Sequence, residues 1–97
     1  MKDSIYYEEI YEKLKNIFYN RFEIDLDSMP EANLEKHLLS HDIGLAPRNL
    51  IYIYLDIGKD FGISIPDEEV AAGGLSSIKN IIEMVQRQLN KTEKAAV

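Results

Sequence analysis

Apolar residues recur at helical spacing in three segments of the chain. In the first segment, which runs from Ser4 to about Phe22, charged residues separate apolar ones that lie mostly three or four positions apart. This spacing gives an α-helix one apolar face and one polar face. The segment therefore predicts a long amphipathic helix, whose apolar stripe consists of Tyr6, Ile10, Leu14, Ile17 and Phe18.

A second helical pattern follows Gly44. Pro47 fits the first turn of this helix, because the proline ring fixes φ at a helical value and the first turn needs no N–H from this residue. Gly62 is suited to end the helix, since glycine readily adopts the left-handed conformation. The predicted apolar stripe consists of Leu50, Ile53, Ile57 and Phe61.

The remaining segments contain turn signals and shorter helical patterns. Residues 23–44 mix Asp, Ser, Pro and Asn with scattered apolar residues, which indicates a long packed loop with one short helical turn after Pro30. The stretch PDEEVAA predicts a short helix led by Pro66, and the Gly-Gly pair that follows breaks it. The last helix begins near Ser76 or Ser77, whereas residues 91–97 have no sustained apolar face and are expected to form a frayed tail.

A chain of 97 residues has room for one small core but not for two. We therefore expect a single domain over residues 1–97, with an ordered core at about 4–90. The residues are 45% hydrophobic and 29% charged, which is typical of a folded protein. Together, the elements predict an all-α four-helix bundle of three longer helices and one short helix, with a long first loop.

The charge and the cysteine content exclude several classes of function. The net charge of −6 repels phosphate backbones, and no cluster of Lys or Arg offsets it, so we expect no nucleic-acid partner. The chain has no cysteine, which excludes disulfides, thiolate metal ligands and cysteine nucleophiles. No long apolar run or signal-peptide pattern is present, and we expect a cytoplasmic protein with no membrane partner.

Two groups of polar side chains are candidates for chemistry. His37 and His41 lie four positions apart, but no third fixed ligand is evident, so we expect a solvated pair and no metal. The acids at 67–69 follow Pro66, where a helix N-terminus favours negative charge, and this explains them without acid–base catalysis. Neither group resembles an assembled active site, and we expect a protein that is not an enzyme.

The run FGISIPDEEV, from Phe61 to Val70, resembles a segment of the acyl carrier protein family. In that family a comparable Phe-Gly-Ile-x-Ile-Pro-Asp-Glu-Glu run follows the second helix. The resemblance extends over roughly Ser4 to Leu89, nearly the whole fold. It implies an acyl-carrier-protein-like four-helix bundle, in agreement with the elements predicted above.

Members of the family begin the second helix with an Asp-Ser-Leu motif, whose serine carries 4′-phosphopantetheine through a phosphodiester. Here the approach Asp-Ile-Gly at 42–44 is followed by Leu45 and then by Ala-Pro-Arg at 46–48. This approach and the ungapped register of the Phe-Gly pair at 61–62 both align Pro47 with the serine. Proline has no hydroxyl, so the resemblance implies that the prosthetic group cannot be attached at Pro47.

The residues beside Pro47 also depart from the family pattern, because Ala46 replaces an acid and Arg48 replaces an exposed leucine. The chain looks like the carrier-related proteins without the serine that accompany peptide-maturation, bacteriocin-like gene clusters in bacteria. The resemblance implies an interaction or adaptor protein whose partner is a biosynthetic or peptide-modifying enzyme. On the second helix, Arg48, Tyr52 and Lys59 lie opposite the apolar stripe and are the candidate partner contacts.

Two alternatives stay open at this point. One is a true acyl or aminoacyl carrier that is modified at another serine, with Ser40, Ser64, Ser76 and Ser77 as candidates. The other is a protein that binds a small apolar ligand non-covalently between its helices. The first predicts a covalent adduct, and the second predicts a ligand that leaves when the protein unfolds.

Overall fold

The computed structural model describes the backbone of residues 4–96 and the side chains of residues 7–91. Within that part the chain forms four α-helices and no strand: α1 (Ser4–Phe22), α2 (Pro47–Phe61), α3 (Asp67–Ala71) and α4 (Ile78–Ala96). The predicted all-α bundle of three longer helices and one short helix is therefore confirmed. The backbone of α4 is helical to Ala96, through most of the segment 91–97 that was expected to fray. The predicted role of Tyr6 lies outside the described side chains.

The three long helices share one apolar core, because each turns its apolar stripe towards the other two. α1 packs against both α4 and α2. Burial of an aliphatic or aromatic side chain contributes about 1.5–3 kcal/mol, so this shared face is the main source of stability. The fully buried side chains include Leu14 and Phe18 of α1, Ile53 and Ile57 of α2, and Ile78, Ile81 and Met84 of α4.

The long loop between α1 and α2 is packed against this core rather than free in solvent. It contains the short 3₁₀ helix predicted after Pro30, at Glu31–Glu35, and a second one at Leu26–Ser28 that the sequence pattern did not indicate. Asp25 forms the second one, because its carboxylate accepts hydrogen bonds from the Asp27 amide at 3.0 Å and the Ser28 hydroxyl at 2.9 Å. Leu26 is thereby directed into the core.

Two backbone hydrogen bonds tie the end of this loop to the helices. The Leu38 amide donates to the Ser76 carbonyl at 2.8 Å, just before α4, and the Leu45 amide donates to the Leu38 carbonyl at 3.1 Å, just before α2. The side chains of Leu38 and Leu45 are both buried. The starts of α2 and α4 are therefore held in a fixed relation to each other.

The ends of α2 agree with the sequence pattern. Pro47 is its first residue, and Ala46 before it has no side-chain acceptor for the first amides of the helix. The side-chain oxygen Oδ1 of Asn49 accepts the Ala46 amide at 2.8 Å. At the other end, Gly62 adopts the left-handed conformation with φ of 65°. A proline at the first position and a glycine at the end are compatible with a regular helix between them.

The two longest helices are amphipathic rather than uniformly apolar. α1 and α4 each have 19 residues, and charged side chains interrupt both. Among the described residues, no helix combines the length and the hydropathy that a bilayer span requires. α4 begins after Ser77, in agreement with the predicted start near Ser76 or Ser77, and the Ser77 hydroxyl caps the helix by accepting the Asn80 amide at 3.1 Å.

The two faces of α2 should respond very differently to the same substitution. Ile57 is fully buried, whereas Ile51 is 60% exposed. We expect Ile57→Ala to lower the free energy of unfolding by about 2–4 kcal/mol, because the deleted atoms leave a cavity in the core. Ile51→Ala is the matched control and should change it by less than about 0.5 kcal/mol. Urea unfolding followed by circular dichroism measures both, and equal losses would contradict the orientation of α2.

Candidate functional site

An open groove of about 660 Å³ lies between α2 and α3. Most of its lining is apolar, with Leu50, Ile51 and Tyr54 on the α2 side and Val70 and Ala71 on the α3 side. The core interior beneath it is filled by side chains that are fully buried. Any guest chain would therefore lie in this surface groove rather than inside the bundle.

Pro47 lies on the groove side of α2, at the end where the helix begins. Residues spaced by three, four and seven positions share one face of a helix, and Pro47 has this relation to Leu50, Ile51 and Tyr54. Its ring is exposed. A group attached at this position would reach the groove, but a proline side chain offers no oxygen to which a phosphodiester could be joined.

The other candidate serines differ in how accessible their hydroxyls are. Ser77 is 4% exposed and its oxygen caps α4, while the Ser40 oxygen is buried without a hydrogen-bond partner among the described residues. Ser64 is exposed on the connector before α3, and Ser76 is half-buried and lines the groove. The residues present therefore do not fit 4′-phosphopantetheine at the start of α2, and only Ser64 and Ser76 of this set have reachable hydroxyls.

The short helix α3 is held against α4 mainly by one ion pair. The Arg87 guanidinium donates to both carboxylate oxygens of Glu69, at 2.8 and 3.0 Å, and the Gln88 amide donates to the same carboxylate at 3.0 Å. The Glu69 side chain is only 12% exposed. The hydrogen bonds from Arg87 lower the pKa of Glu69 below its ordinary value, despite the opposing effect of burial, and raise the pKa of Arg87.

Gly74 allows the chain to turn tightly between α3 and α4. A Cβ atom at this position would lie 2.8 Å from the Glu69 carbonyl oxygen, which is closer than packed atoms approach. None of the five residues of α3 is itself buried, although Ile65 before it and Leu75 after it are. Glu69, Arg87 and Gly74 therefore fix one wall of the groove.

The predicted partner contacts lie on the outer side of α2, away from the core. Arg48 and Lys59 are exposed near the two ends of the helix, and Tyr52 is 42% exposed between them. Ile51 and Leu55 share this side and are the most exposed apolar residues of α2, at 60% and 58%. Arg48, Ile51, Tyr52, Leu55 and Lys59 therefore form one continuous surface, which we call the outer stripe.

The sequence pattern indicated Arg48, Tyr52 and Lys59 as contacts but not Ile51 and Leu55. The helical period contained the signal, because both residues are apolar and lie within about 60° of the Arg48–Lys59 line. Apolar residues on the polar face of a predicted helix are candidate contacts in their own right. The role of the outer stripe in binding stays a prediction.

An arginine from α1 changes the charge of α2. Arg21 donates two hydrogen bonds to the Asp56 carboxylate, at 2.8 and 2.9 Å, and its guanidinium lies 4.8 Å from the centre of the Tyr52 ring. Its pKa is raised, chiefly by the hydrogen bond to Asp56. Asp56 is therefore paired with α1 and not with a basic side chain of its own helix.

The two histidines are not brought onto one helix face. The segment at 37–41 is not helical, so the four-residue spacing does not bring His37 and His41 onto one face. His37 lines the groove, and its Nδ1 atom accepts the Leu39 amide at 3.1 Å. Among the described residues, no group of three or more His, Asp or Glu side chains could hold a metal ion.

Comparisons with known proteins point to one family. The chain is 32% identical to an acyl carrier protein of Lactobacillus acidophilus over 62 residues, which are 64% of this chain and 72% of the relative. No protein-family model matches the chain. No solved structure matches it significantly either.

The Glu69–Arg87 pair should give the protein a specific pH dependence. Because the pKa of Glu69 is lowered in the folded state, its stabilisation is present above the ordinary value of 4.5 and is lost as the pH falls through the folded-state value. At pH 7 we expect Glu69→Gln to lower the free energy of unfolding by about 1–2 kcal/mol. The difference from the wild type should shrink as the pH falls below 4.5.

Glu68→Gln is the matched control, because Glu68 is an exposed neighbour without an ion pair among the described residues. Urea unfolding at a series of pH values measures both variants. If the two substitutions have equal effects, or if the Glu69→Gln effect is constant from neutral to acidic pH, the ion pair does not stabilise the packing of α3 on α4.

Proposed function

The chain belongs to the acyl carrier protein family, and from this we propose that it is a carrier-like adaptor that works without 4′-phosphopantetheine. In this proposal it is a single-domain, non-enzymatic cytoplasmic protein that binds a biosynthetic or peptide-modifying enzyme. Arg48, Tyr52 and Lys59 are the proposed contacts.

The observation that carries this proposal is the proline at the start of α2. The bundle, the loop before α2 and the cap at Gly62 are all intact, yet the first residue of α2 has no hydroxyl. We propose that Pro47 occupies the attachment position of the family. Proline is well tolerated at the first position of a helix, so the fold can persist while carrier chemistry is lost.

The neighbours of Pro47 support loss of the attachment reaction as well. A transferase recognises the surface around its serine, and here Ala46 and Arg48 provide neither the acid nor the leucine of the family motif. An arginine in place of an apolar residue adds a desolvated charge to any interface evolved for the family motif. The same change gives α2 a different surface for a different partner.

The proposed pathway is peptide maturation of the bacteriocin-like type. Its support is the resemblance of this chain, which has Ala-Pro-Arg at 46–48, to carrier-related proteins that lack the serine. The pathway fixes the class of partner, an enzyme that acts on peptides. The adaptor function itself depends only on the surface of the bundle and not on this assignment.

The groove supports a second candidate function, the non-covalent binding of a small apolar ligand. Its volume of about 660 Å³ and its apolar lining suit a ligand of modest size. The groove is open to solvent along α2, however, so it would bury only part of such a ligand. Native mass spectrometry of the purified protein distinguishes this candidate, because a bound lipid would appear as a mass that is lost on denaturation.

We expect the intact mass of the protein isolated from its native host to show no pantetheinyl group. Such a group would add about 340 Da, and attachment requires an accessible hydroxyl. Peptide mapping locates any adduct that is found. An adduct on Ser64 or Ser76 would overturn the adaptor proposal in favour of a relocated carrier site.

A restored motif provides the positive control. The triple variant Ala46→Asp, Pro47→Ser, Arg48→Leu recreates the family motif at the start of α2, and we expect it to gain the group when incubated with coenzyme A and a broad-specificity transferase. Pro47→Ser alone restores the hydroxyl without the surrounding surface and should be modified more slowly. If the triple variant folds but stays unmodified, the alignment of Pro47 with the serine is wrong.

A further inference from the structure

We propose that the outer stripe of α2 binds an acidic amphipathic helix of a partner protein. This inference rests on the proposed adaptor function and specifies the chemistry of the partner. It follows from three features of the described side chains: two unpaired cations, an acid that is already neutralised, and an apolar segment between the cations.

Arg48 and Lys59 are unusual among the basic side chains of this acidic protein. Neither has an ion pair or a hydrogen bond among the described side chains, although the chain has 17 acidic residues and 11 basic ones. Most other Lys and Arg side chains in the described part form an ion pair or a hydrogen bond. Ion pairs join Lys15 to Asp27, Arg21 to Asp56, Lys36 to Asp42, Lys79 to Glu35 and Arg87 to Glu69, while Lys13 donates to the Asp60 carbonyl.

One of the two acids of α2, Asp56, has its charge compensated from within the protein. Asp56 receives both hydrogen bonds of the Arg21 fork, and the same guanidinium covers one face of the Tyr52 ring. A partner that approaches α2 therefore meets the positive charge of Arg48 and Lys59 without an exposed, unpaired carboxylate at Asp56. This arrangement selects acidic rather than basic side chains on the partner.

The segment between the two cations is apolar and uncovered. Ile51 and Leu55 are one helical turn apart and each is more than half exposed. Eleven residues separate Arg48 from Lys59, which corresponds to about 16 Å along the helix axis. A partner helix with apolar residues at its centre and an acid at each end, also about eleven residues apart, matches this pattern.

A second copy of the chain fits the outer stripe poorly. If two α2 helices pack antiparallel with Leu55 opposite Tyr52, Arg48 of one copy lies opposite Lys59 of the other. If they pack parallel, each cation faces its own equivalent. Both arrangements juxtapose like charges, which is unfavourable. The net charge of −6 also repels an acidic partner at long range. The apolar contact must therefore supply most of the affinity, whereas Arg48 and Lys59 supply the preference for acidic over basic side chains.

The test selects helical peptides from a displayed library for binding to the whole 97-residue chain. The displayed library has leucines fixed along one face and two positions, eleven residues apart, that vary among Glu, Gln and Lys. We expect Glu at both positions to be enriched over Lys by about tenfold, the combined effect of two exposed ion pairs. The best Glu peptide and its Lys counterpart are then compared by fluorescence anisotropy.

Matched variants show whether the outer stripe is responsible. Arg48→Glu with Lys59→Glu should reverse the preference towards Lys, whereas Lys79→Glu with Lys91→Glu, which makes the same total charge change on α4, should leave it unchanged. Leu55→Gln should weaken binding about tenfold or more. Tyr19→Gln is its control, because Tyr19 is equally exposed, at 58%, but lies on α1.

A third pair of variants examines the role of Arg21. Arg21→Gln leaves the Asp56 carboxylate uncompensated, so the Glu peptide should bind about threefold more weakly. Adding Asp56→Asn to this variant removes the uncompensated charge and should restore binding. A loss that Asp56→Asn does not restore would assign the effect of Arg21 to packing on Tyr52 and overturn this part of the proposal.

Three results would overturn the proposal as a whole. The selected peptides could show no preference for Glu over Lys, or they could keep this preference on the variant with Arg48→Glu and Lys59→Glu. The third result is that wild-type protein enriches the library no more than the Leu55→Gln variant does. A wild-type dimer in sedimentation equilibrium that Leu55→Gln dissociates would identify a second copy as the occupant. These outcomes are distinct from failure of the adaptor proposal, which appears as a pantetheinyl mass on the protein. Each result can occur without the other.

Discussion

The shared burial of α1, α2 and α4 constrains where every other part of the molecule can lie. Ile53 and Ile57 are buried in the core, and this orientation of α2 turns Leu55 outward and Leu50 and Tyr54 towards the groove. Ile51 lies at the border, where it lines the groove and also belongs to the outer stripe. A rotation of α2 by one position would bury charged residues and expose isoleucines. The orientation of the outer stripe and of the groove therefore follows from packing rather than from local preference.

Side-chain pairs then refine a geometry that the core has fixed only coarsely. The core does not hold α3, which has no buried residue of its own, and Glu69 and Arg87 supply what packing does not. In the same way, Arg21 and Asp56 join the polar edges of α1 and α2 and determine which charges remain available on α2. In both pairs the guanidinium donates two hydrogen bonds to one carboxylate, which fixes the relative orientation of the two side chains as well as their distance.

The sequence predicted those features that depend on neighbours along the chain. Pro47, Gly62 and Ser77 mark helix ends through their own backbone or hydroxyl chemistry, and the helical period identified the buried faces. The sequence pattern did not indicate side-chain pairs whose two members are far apart along the chain. Glu69 was explained by the helix N-terminus, whereas its carboxylate binds Arg87, eighteen residues away. Asp56 pairs with Arg21 across 35 residues, and no local pattern indicates such contacts.

The contacts that hold α3 allow the groove to change independently of the core. Because an ion pair and a tight turn hold this helix, substitutions there can loosen α3 without disturbing the contacts inside the core of the three long helices. Substitutions at Glu69 or Arg87 can alter the shape of the groove while the packing of the three long helices stays the same. Groove and core can thus diverge at separate rates in evolution, each under its own selection.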